Sequence, residues 1–396
     1  MTVRITKPEF NLREKISELD KPSGIKGNDL LKSETTQDAR NLIGAGRKNK
    51  LLNGDMKINQ RGSSFTSVGS SANTFTLDRW KFYVQNSTAR FTVTKDSDSP
   101  DDFGGSMKIE CTTTDTSLAS TDEVYLEQRL EGQDLQDFAK GTTSAKEYTL
   151  SFYVKTNRTG TYIVNLLSRD NTTGTVSAEY TVSNTNWNRY TVTFPADTNS
   201  NRKDDNDNGE ALRVLWWFVA GSAVNSPSSA PLATTWRNST DTGRAAGQIN
   251  FADSTSNEFF LTGCQLEVGR NVTDFEHRSF GEELTLCQRY YERHNWKSSQ
   301  YVALSGQHQS ASATSSRFVF PFLTRKRSED PSFTPSGNFR GFPPSSGGEA
   351  VTLTGGEIND TATRVNVART TSFAGGTAIL ILSYGSGNYF EVEDEL

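Results

Sequence analysis

Tyr148-Thr149-Leu150-Ser151-Phe152-Tyr153-Val154-Lys155 carries an apolar side chain at every second position. In an extended strand Tyr148, Leu150, Phe152 and Val154 therefore share one face, and that face is core. Similar short runs surround it, separated by Gly, Asn, Asp and Ser: Trp80 to Val84, Ala89 to Thr94, Ser106 to Cys111, Val124 to Leu130, Thr161 to Leu167, Tyr190 to Phe194, Leu212 to Val219 and Glu258 to Val268. Nine such strands fit a β-sandwich or jelly roll over residues 51–278.

Downstream, Ser279 with Glu282 three residues on forms a capping box, and Leu284, Cys287 and Tyr291 fall on one stripe. This pattern predicts a linking helix over 279–295. A C-terminal β-domain over 296–396 follows, with strands at Phe318 to Leu323, Val351 to Thr354, Arg364 to Ala368 and Ala378 to Tyr384. The Pro/Gly/Ser-rich stretch 331–348 reads as an ordered loop. At the other end, Leu12, Ile16 and Leu19 recur at helical spacing before Pro22, and a second helix starts after the cap Ser33 and stops at Gly44 and Gly46. Residues 1–50 thus read as a short N-terminal helical anchor whose apolar stripes need a partner to cover them.

Composition agrees with a mainly β class. The chain has 396 residues, enough for two or three domains at ~100–200 residues each. Apolar residues make up 33% of it, and even with the 31 glycines the share stays under the ~45–50% of typical soluble chains. Its net charge of -5 lacks the clustered basic surplus that phosphate binding needs, which excludes nucleic acid as the main partner. Residues 1–50 carry 11 Lys/Arg against 7 Asp/Glu, leaving 31 against 40 in the rest, so the anchor is basic and the body acidic. Cys111, Cys264 and Cys287 form no close pair and read as free thiols. No run of ~18 apolar residues appears, so no membrane insertion is expected.

Several stretches carry a resemblance: Asn53-Gly-Asp55, Gln60-Arg-Gly62, Leu77-Asp-Arg-Trp80, Leu126-Glu-Gln-Arg-Leu-Glu-Gly132, Trp187-Asn-Arg-Tyr-Thr-Val-Thr-Phe194, Phe260-Leu-Thr-Gly-Cys-Gln-Leu-Glu-Val-Gly269 and Phe275-Glu-His-Arg-Ser-Phe-Gly-Glu-Glu-Leu284. As a set they resemble the tail-fibre-like structural proteins of marine tailed bacteriophages, over roughly residues 1–295. The resemblance implies a homotrimeric virion protein whose β-sandwich is similar to carbohydrate-binding modules. It also implies docking on other virion proteins through residues 1–50 and contact with a host-surface glycan or receptor. Tail, collar and head mountings all stay open.

Candidate chemistry is sparse. Asp204, Asn206 and Asn208 alternate before Gly209 like the opening of a calcium loop, but the twelfth position is Leu215 where a bidentate Glu would close the site. The three histidines, His277, His294 and His308, lack zinc-site spacing. Nucleotide and nucleophile motifs are missing, so no enzyme is expected. Exposed aromatic rings can stack on sugar faces. Trp236, in the polar loop 226–244, reads as the exposed ring of the sandwich, while Trp296, Tyr301, Phe339, Phe342 and Tyr389 are candidates in the last domain. Trp80 and Trp187 read as core, as does the Trp216–Phe218 cluster, with Trp217 the one ring of it that could reach the surface or a subunit contact. The expected function is host recognition by a fibre-like virion protein. Its alternatives are a purely architectural part, such as a collar or head fibre or an adaptor, and a glycan depolymerase.

Overall fold

A computed structural model describes residues 48–69, 73–228, 230–300, 302, 305–312, 314–342, 348–370 and 380–396. The chain divides into two compact units, Met1–Lys48 and Asn49–Leu396. The helices expected at 11–20 and after Ser33 lie outside the described residues. Strands are the main regular element of the second unit, as the alternation requires.

Its first part contains β1 (Ser64–Val68), β2 (Asn73–Phe75), β3 (Lys81–Gln85), β4 (Arg90–Asp96), β5 (Ser106–Thr113), β6 (Glu123–Glu131), β7 (Tyr148–Thr156), β8 (Gly160–Ser168), β9 (Gly174–Val182), β10 (Asn188–Phe194), β11 (Glu210–Ala220), β12 (Arg237–Asn238) and β13 (Glu258–Val268). They form two antiparallel sheets, one in the order β1-β4-β5-β13-β7-β10 and the other in the order β12-β9-β8-β11-β6-β3-β2. Between the sheets lies one large core, in which Tyr148, Leu150, Phe152 and Val154 meet Trp80, Phe82, Trp216 and Phe218. Trp216 stands edge-on to Trp80, just before β3 of its own sheet, at 5.4 Å and to Phe152 of the facing sheet at 5.7 Å, and the second contact ties the sheets together.

The outward faces of the two sheets differ. On the second sheet, outward Tyr125, Ile163, Leu167, Leu215 and Trp217 are covered by Val224, Leu232 and Ala245 from the segment 221–248. Trp217 is thus buried under its own chain and does not reach the surface. The segment is fastened by backbone groups, with Ser177 N donating to Ala233 O at 2.7 Å and Ile163 N to Gln248 Oε1 at 2.8 Å. The outward face of the first sheet is only partly covered, and Tyr153, Lys155 and Arg189 there keep part of their surface in solvent.

The helix α1 (Phe280–Gln288) is capped as expected, with Ser279 Oγ accepting from Glu282 N. It is shorter than the periodicity predicts: Tyr291–Trp296 leaves it as strand β14, paired with β22 (Asn388–Glu393). Its buried face is centred on Glu283 and Cys287. The remaining strands are β15 (Ser305–Ser312), β16 (Ser315–Pro321), β17 (Ser332–Ser336), β18 (Phe339–Phe342), β19 (Glu349–Ile358), β20 (Ala362–Ala368) and β21 (Leu380–Ser383). They form sheets in the orders β14-β22-β17 and β15-β16-β20-β19-β18-β21 around a second core of Phe318, Phe320, Val365, Val367, Phe390 and Val392. Two strands, β17 and β18, arise in the stretch expected to be a loop. Pro335 fits there because β17 is an edge strand, where a missing N–H costs no ladder bond. All three cysteines are free and buried.

Candidate functional site

On β7 the positions out of phase with the core are Thr149, Ser151, Tyr153 and Lys155. The first two are closed over by a strap, residues 269–278, which crosses the outside of the first sheet. Buried outward side chains of β13 hold it down. Thr273 donates to both oxygens of Glu267, from its N at 3.0 Å and its Oγ1 at 2.7 Å. Gln265 Nε2 donates to Asp274 O at 3.3 Å, and Glu276 N donates back to Gln265 Oε1 at 2.8 Å. Arg278 ends the strap, ion-paired with Glu276 at 3.0 Å and Glu283 at 3.3 Å.

So pinned, the strap sets Phe275 and His277 beside Phe103 and Tyr153. Ring centroids lie 5.2 Å apart for Phe103–Tyr153 and Phe103–Phe275, 5.3 Å for Phe103–His277 and 4.9 Å for Phe275–His277. Gly263, at a bulge in the β13–β7 pairing, makes room for them. Its φ is +62°, and a Cβ there would stand 2.8 Å from both Phe103 Cζ and Tyr153 Cδ2. The four rings, Asp102, Asp274 and Arg189 line an open recess of about 440 Å³. Arg189 is held over Tyr153 by bonds to Ser151 Oγ at 3.2 Å and to the Thr273 carbonyl.

One pleat along β7, about 7 Å away by strand rise, a second patch continues the surface. Trp187 packs edge-on against Phe260 at 6.2 Å, and Lys155 and Lys108 lie over the Phe260 ring. Asp98 accepts from Lys155 Nζ at 2.5 Å and from Trp187 Nε1 at 2.8 Å, and these two bonds hold its carboxyl below the usual carboxylate range. Flat rings bordered by fixed donors and acceptors suit a ligand with both apolar faces and hydroxyl edges.

The rings expected from sequence lie elsewhere. Trp236 is half-buried: its ring packs against the main core beside Tyr148, and its Nε1 donates to Pro195 O at 2.8 Å. The polar residues flanking it in sequence do not show this. Trp296 sits edge-on to Phe390 at 4.4 Å, on the second core. Tyr389 lies under the guanidinium of Arg293 at 3.7 Å. Phe339 is buried, and Tyr301 and the side chain of Phe342 lie outside what is described. Trp187, read as core, is at the open face. Of the calcium-like tract, Asp204 is buried against Lys140 Nζ at 2.5 Å, Asn206 is exposed, and Asn208 donates to the Arg327 carbonyl at 2.5 Å. Burial pushes the Asp204 carboxyl up to about 6 against the pull of Lys140. Among the described residues no cluster of three or more His, Cys, Asp or Glu stands ready for a metal ion.

None of Tyr153, Phe103, Phe275 and His277 is among the ligand-stacking rings expected from the sequence. One signal does point to the site: Tyr153 is a large ring at an out-of-phase position of a strand whose in-phase positions are all core.

No protein-family model and no curated protein matches the chain. Among solved structures, a family 4 carbohydrate-binding module aligns at 13% identity and a TM-score of 0.28, over 55% of this chain and 97% of that one. Two modules from Clostridium thermocellum, of families 11 and 22, align at 10% identity with TM-scores of 0.25 and 0.27, each over 54% of this chain and 98% of theirs. The sandwich assignment rests on the hydrogen-bonded strand order and not on these alignments. No helix among the described residues is long and apolar enough to cross a membrane.

Proposed function

We propose that this chain is a non-enzymatic, carbohydrate-binding structural protein of a tailed-phage particle. In this reading it is homotrimeric, docks on other virion proteins through residues 1–50 and presents its sheets to a host-surface glycan. The supporting observation is the ring platform of Phe103, Tyr153, Phe275 and His277 set over Gly263 on the partly covered outward face of the first sheet. Gln265 and Glu267, which pin the strap, and residues 275–278 of the strap itself belong to the stretches resembling phage fibre-like proteins. Three copies would join weak single sites into useful avidity.

The test is retention of the full chain on a panel of insoluble polysaccharides, followed by calorimetry with the matching oligosaccharide. Tyr153→Ala should weaken binding by about tenfold while leaving the melting temperature nearly unchanged. A wild-type chain that binds no glycan yet is present in purified particles would favour the architectural reading as collar, head fibre or adaptor. Release of shortened oligosaccharide would instead establish a depolymerase. Light scattering tests the trimer, and a monomer mass would refute it.

A further inference from the structure

Four arginines among the described residues stack within 4 Å of a tyrosine ring centroid: Arg79 on Tyr290 at 3.4 Å, Arg61 on Tyr291 at 3.6 Å, Arg293 on Tyr389 at 3.7 Å and Arg340 on Tyr384 at 3.8 Å. Stacking occupies the face of a guanidinium and leaves the donors on its edge directed outward in the plane. In the first three pairs this chain fills that edge. Arg79 and Arg61 meet the carboxylate of Glu395, and Arg61 also that of Glu393 at 3.3 Å. Arg293 donates to Asn295 Oδ1 at 3.1 Å and Arg61 O at 3.3 Å.

The fourth pair is different. Arg340 sits mid-strand in β18, between β19 and β21, and among the described residues no carboxylate or carbonyl takes its side chain. Tyr384, fixed by its N–H to Asn338 O at 2.8 Å, keeps half of its surface in solvent. The two residues border a recess of about 700 Å³, which Asn338, Thr352 and Thr370 line with an amide and hydroxyls. It is therefore a stacked, half-desolvated guanidinium with its fork unfilled, beside an exposed ring and hydroxyl-rich walls.

We propose that Arg340 and Tyr384 form a second carbohydrate site, specific for a sugar bearing a carboxylate, as in a uronic acid. The carboxylate takes the guanidinium edge, as Glu395 does for Arg79, and the sugar's C–H face lies on the open part of the Tyr384 ring. A planar fork matches a carboxylate in two parallel bonds, which a neutral sugar cannot offer. The choice of sugar over other carboxylates rests on the glycan-binding reading above, whereas the choice of an anion rests on the Arg340 geometry alone.

The experiment titrates the full chain with trigalacturonate, with a neutral trisaccharide and with a short polyglutamate peptide. The wild type should bind trigalacturonate, more weakly as salt is raised. Arg340→Gln should weaken that binding about ten- to a hundredfold, the worth of charge-assisted hydrogen bonds. Arg340→Lys should restore only part of it, and Tyr384→Ala should also lose affinity. Tyr153→Ala should leave trigalacturonate binding intact while reducing retention on the polysaccharide panel, which separates this proposal from the first site. Both side chains are at the surface, so an unchanged melting temperature serves as the folding control. The proposal is overturned if the wild type ignores trigalacturonate, if Arg340→Gln binds it unchanged, or if the glutamate peptide binds more tightly.

Discussion

Arg79 and Glu395, 316 residues apart in sequence, form an ion pair closed to solvent, with the Arg79 guanidinium stacked on Tyr290. Around it, Arg61 reaches Glu393 and Glu395, Arg129 donates to the Leu396 carbonyl at 2.8 Å, and Arg289 and Tyr290 converge on the buried Glu131. The seam between the sandwich core and the second core is thus charged and hydrogen-bonded, not apolar. Removing one partner of such a pair strands the other in low dielectric, so Glu395→Gln should cost about 3–5 kcal/mol. Chemical denaturation checks this, and a loss below about 1 kcal/mol would mean that the seam is open to water.

Gly263→Ala is predicted to harm both stability and binding. A side chain at φ +62° costs about 1–2 kcal/mol in the left-handed region, and its Cβ would also push Phe103 and Tyr153 off their seats. The variant should melt several degrees lower and lose retention on polysaccharide more severely than its stability loss explains. Normal retention would show that the platform is not the binding surface.

Glu267 is buried and accepts two hydrogen bonds from Thr273. Glu267→Ala leaves the Thr273 donors unmet and should cost about 1–3 kcal/mol. Because it frees the strap, hydrogen exchange should speed up at residues 270–277 before the inner strands respond. Uniform loosening of the whole sandwich would contradict the pinning role.

Asp204 gives a pH dependence of defined sign. Burial raises its carboxyl from the ordinary 3.8 to about 6, so the native state holds this proton more tightly than the unfolded chain does. Between those values stability falls as pH rises, by up to about 3 kcal/mol in all from two units at 1.36 kcal/mol each. Against Asp204→Asn, which cannot titrate, the wild type should therefore gain relative stability on acidification from pH 7 to pH 4. Thermal melts across that range check it, and a relative loss would place the shift in the opposite direction.

The sandwich was legible because each strand turns one face into the core, and burial there writes a two-residue period into the sequence. Tyr148, Leu150, Phe152 and Val154 of β7 all lie in the core as the alternation requires. Where burial has another cause, the pattern misleads. β9, Gly-Thr-Val-Ser-Ala-Glu-Tyr-Thr-Val, is too rich in small and polar residues to stand out, and its Thr175 and Ser177 are buried because β12 and the segment 221–248 cover them. The polar sequence neighbours of Trp236 read as an exposed loop, yet its three-dimensional neighbour is Tyr148. The expected helix kept its cap but lost its last two turns to strand pairing, since residues 291–296 gain a full ladder with β22. The open-face site was the least legible part. It is assembled from a loop, two strands and a strap, and neither capping nor periodicity relates Phe103 to Phe275.

The roof that residues 221–248 place over Trp217 gives the sandwich a back and a front. If copies of the chain assemble as proposed, an arrangement that leaves the front clear keeps the Tyr153 platform available, while flipping a copy over would silence it. In the homotrimer proposed above, multivalent capture would therefore depend on every protomer showing the same side, and a single Tyr153 variant mixed in at known ratio would report how many fronts must be live at once.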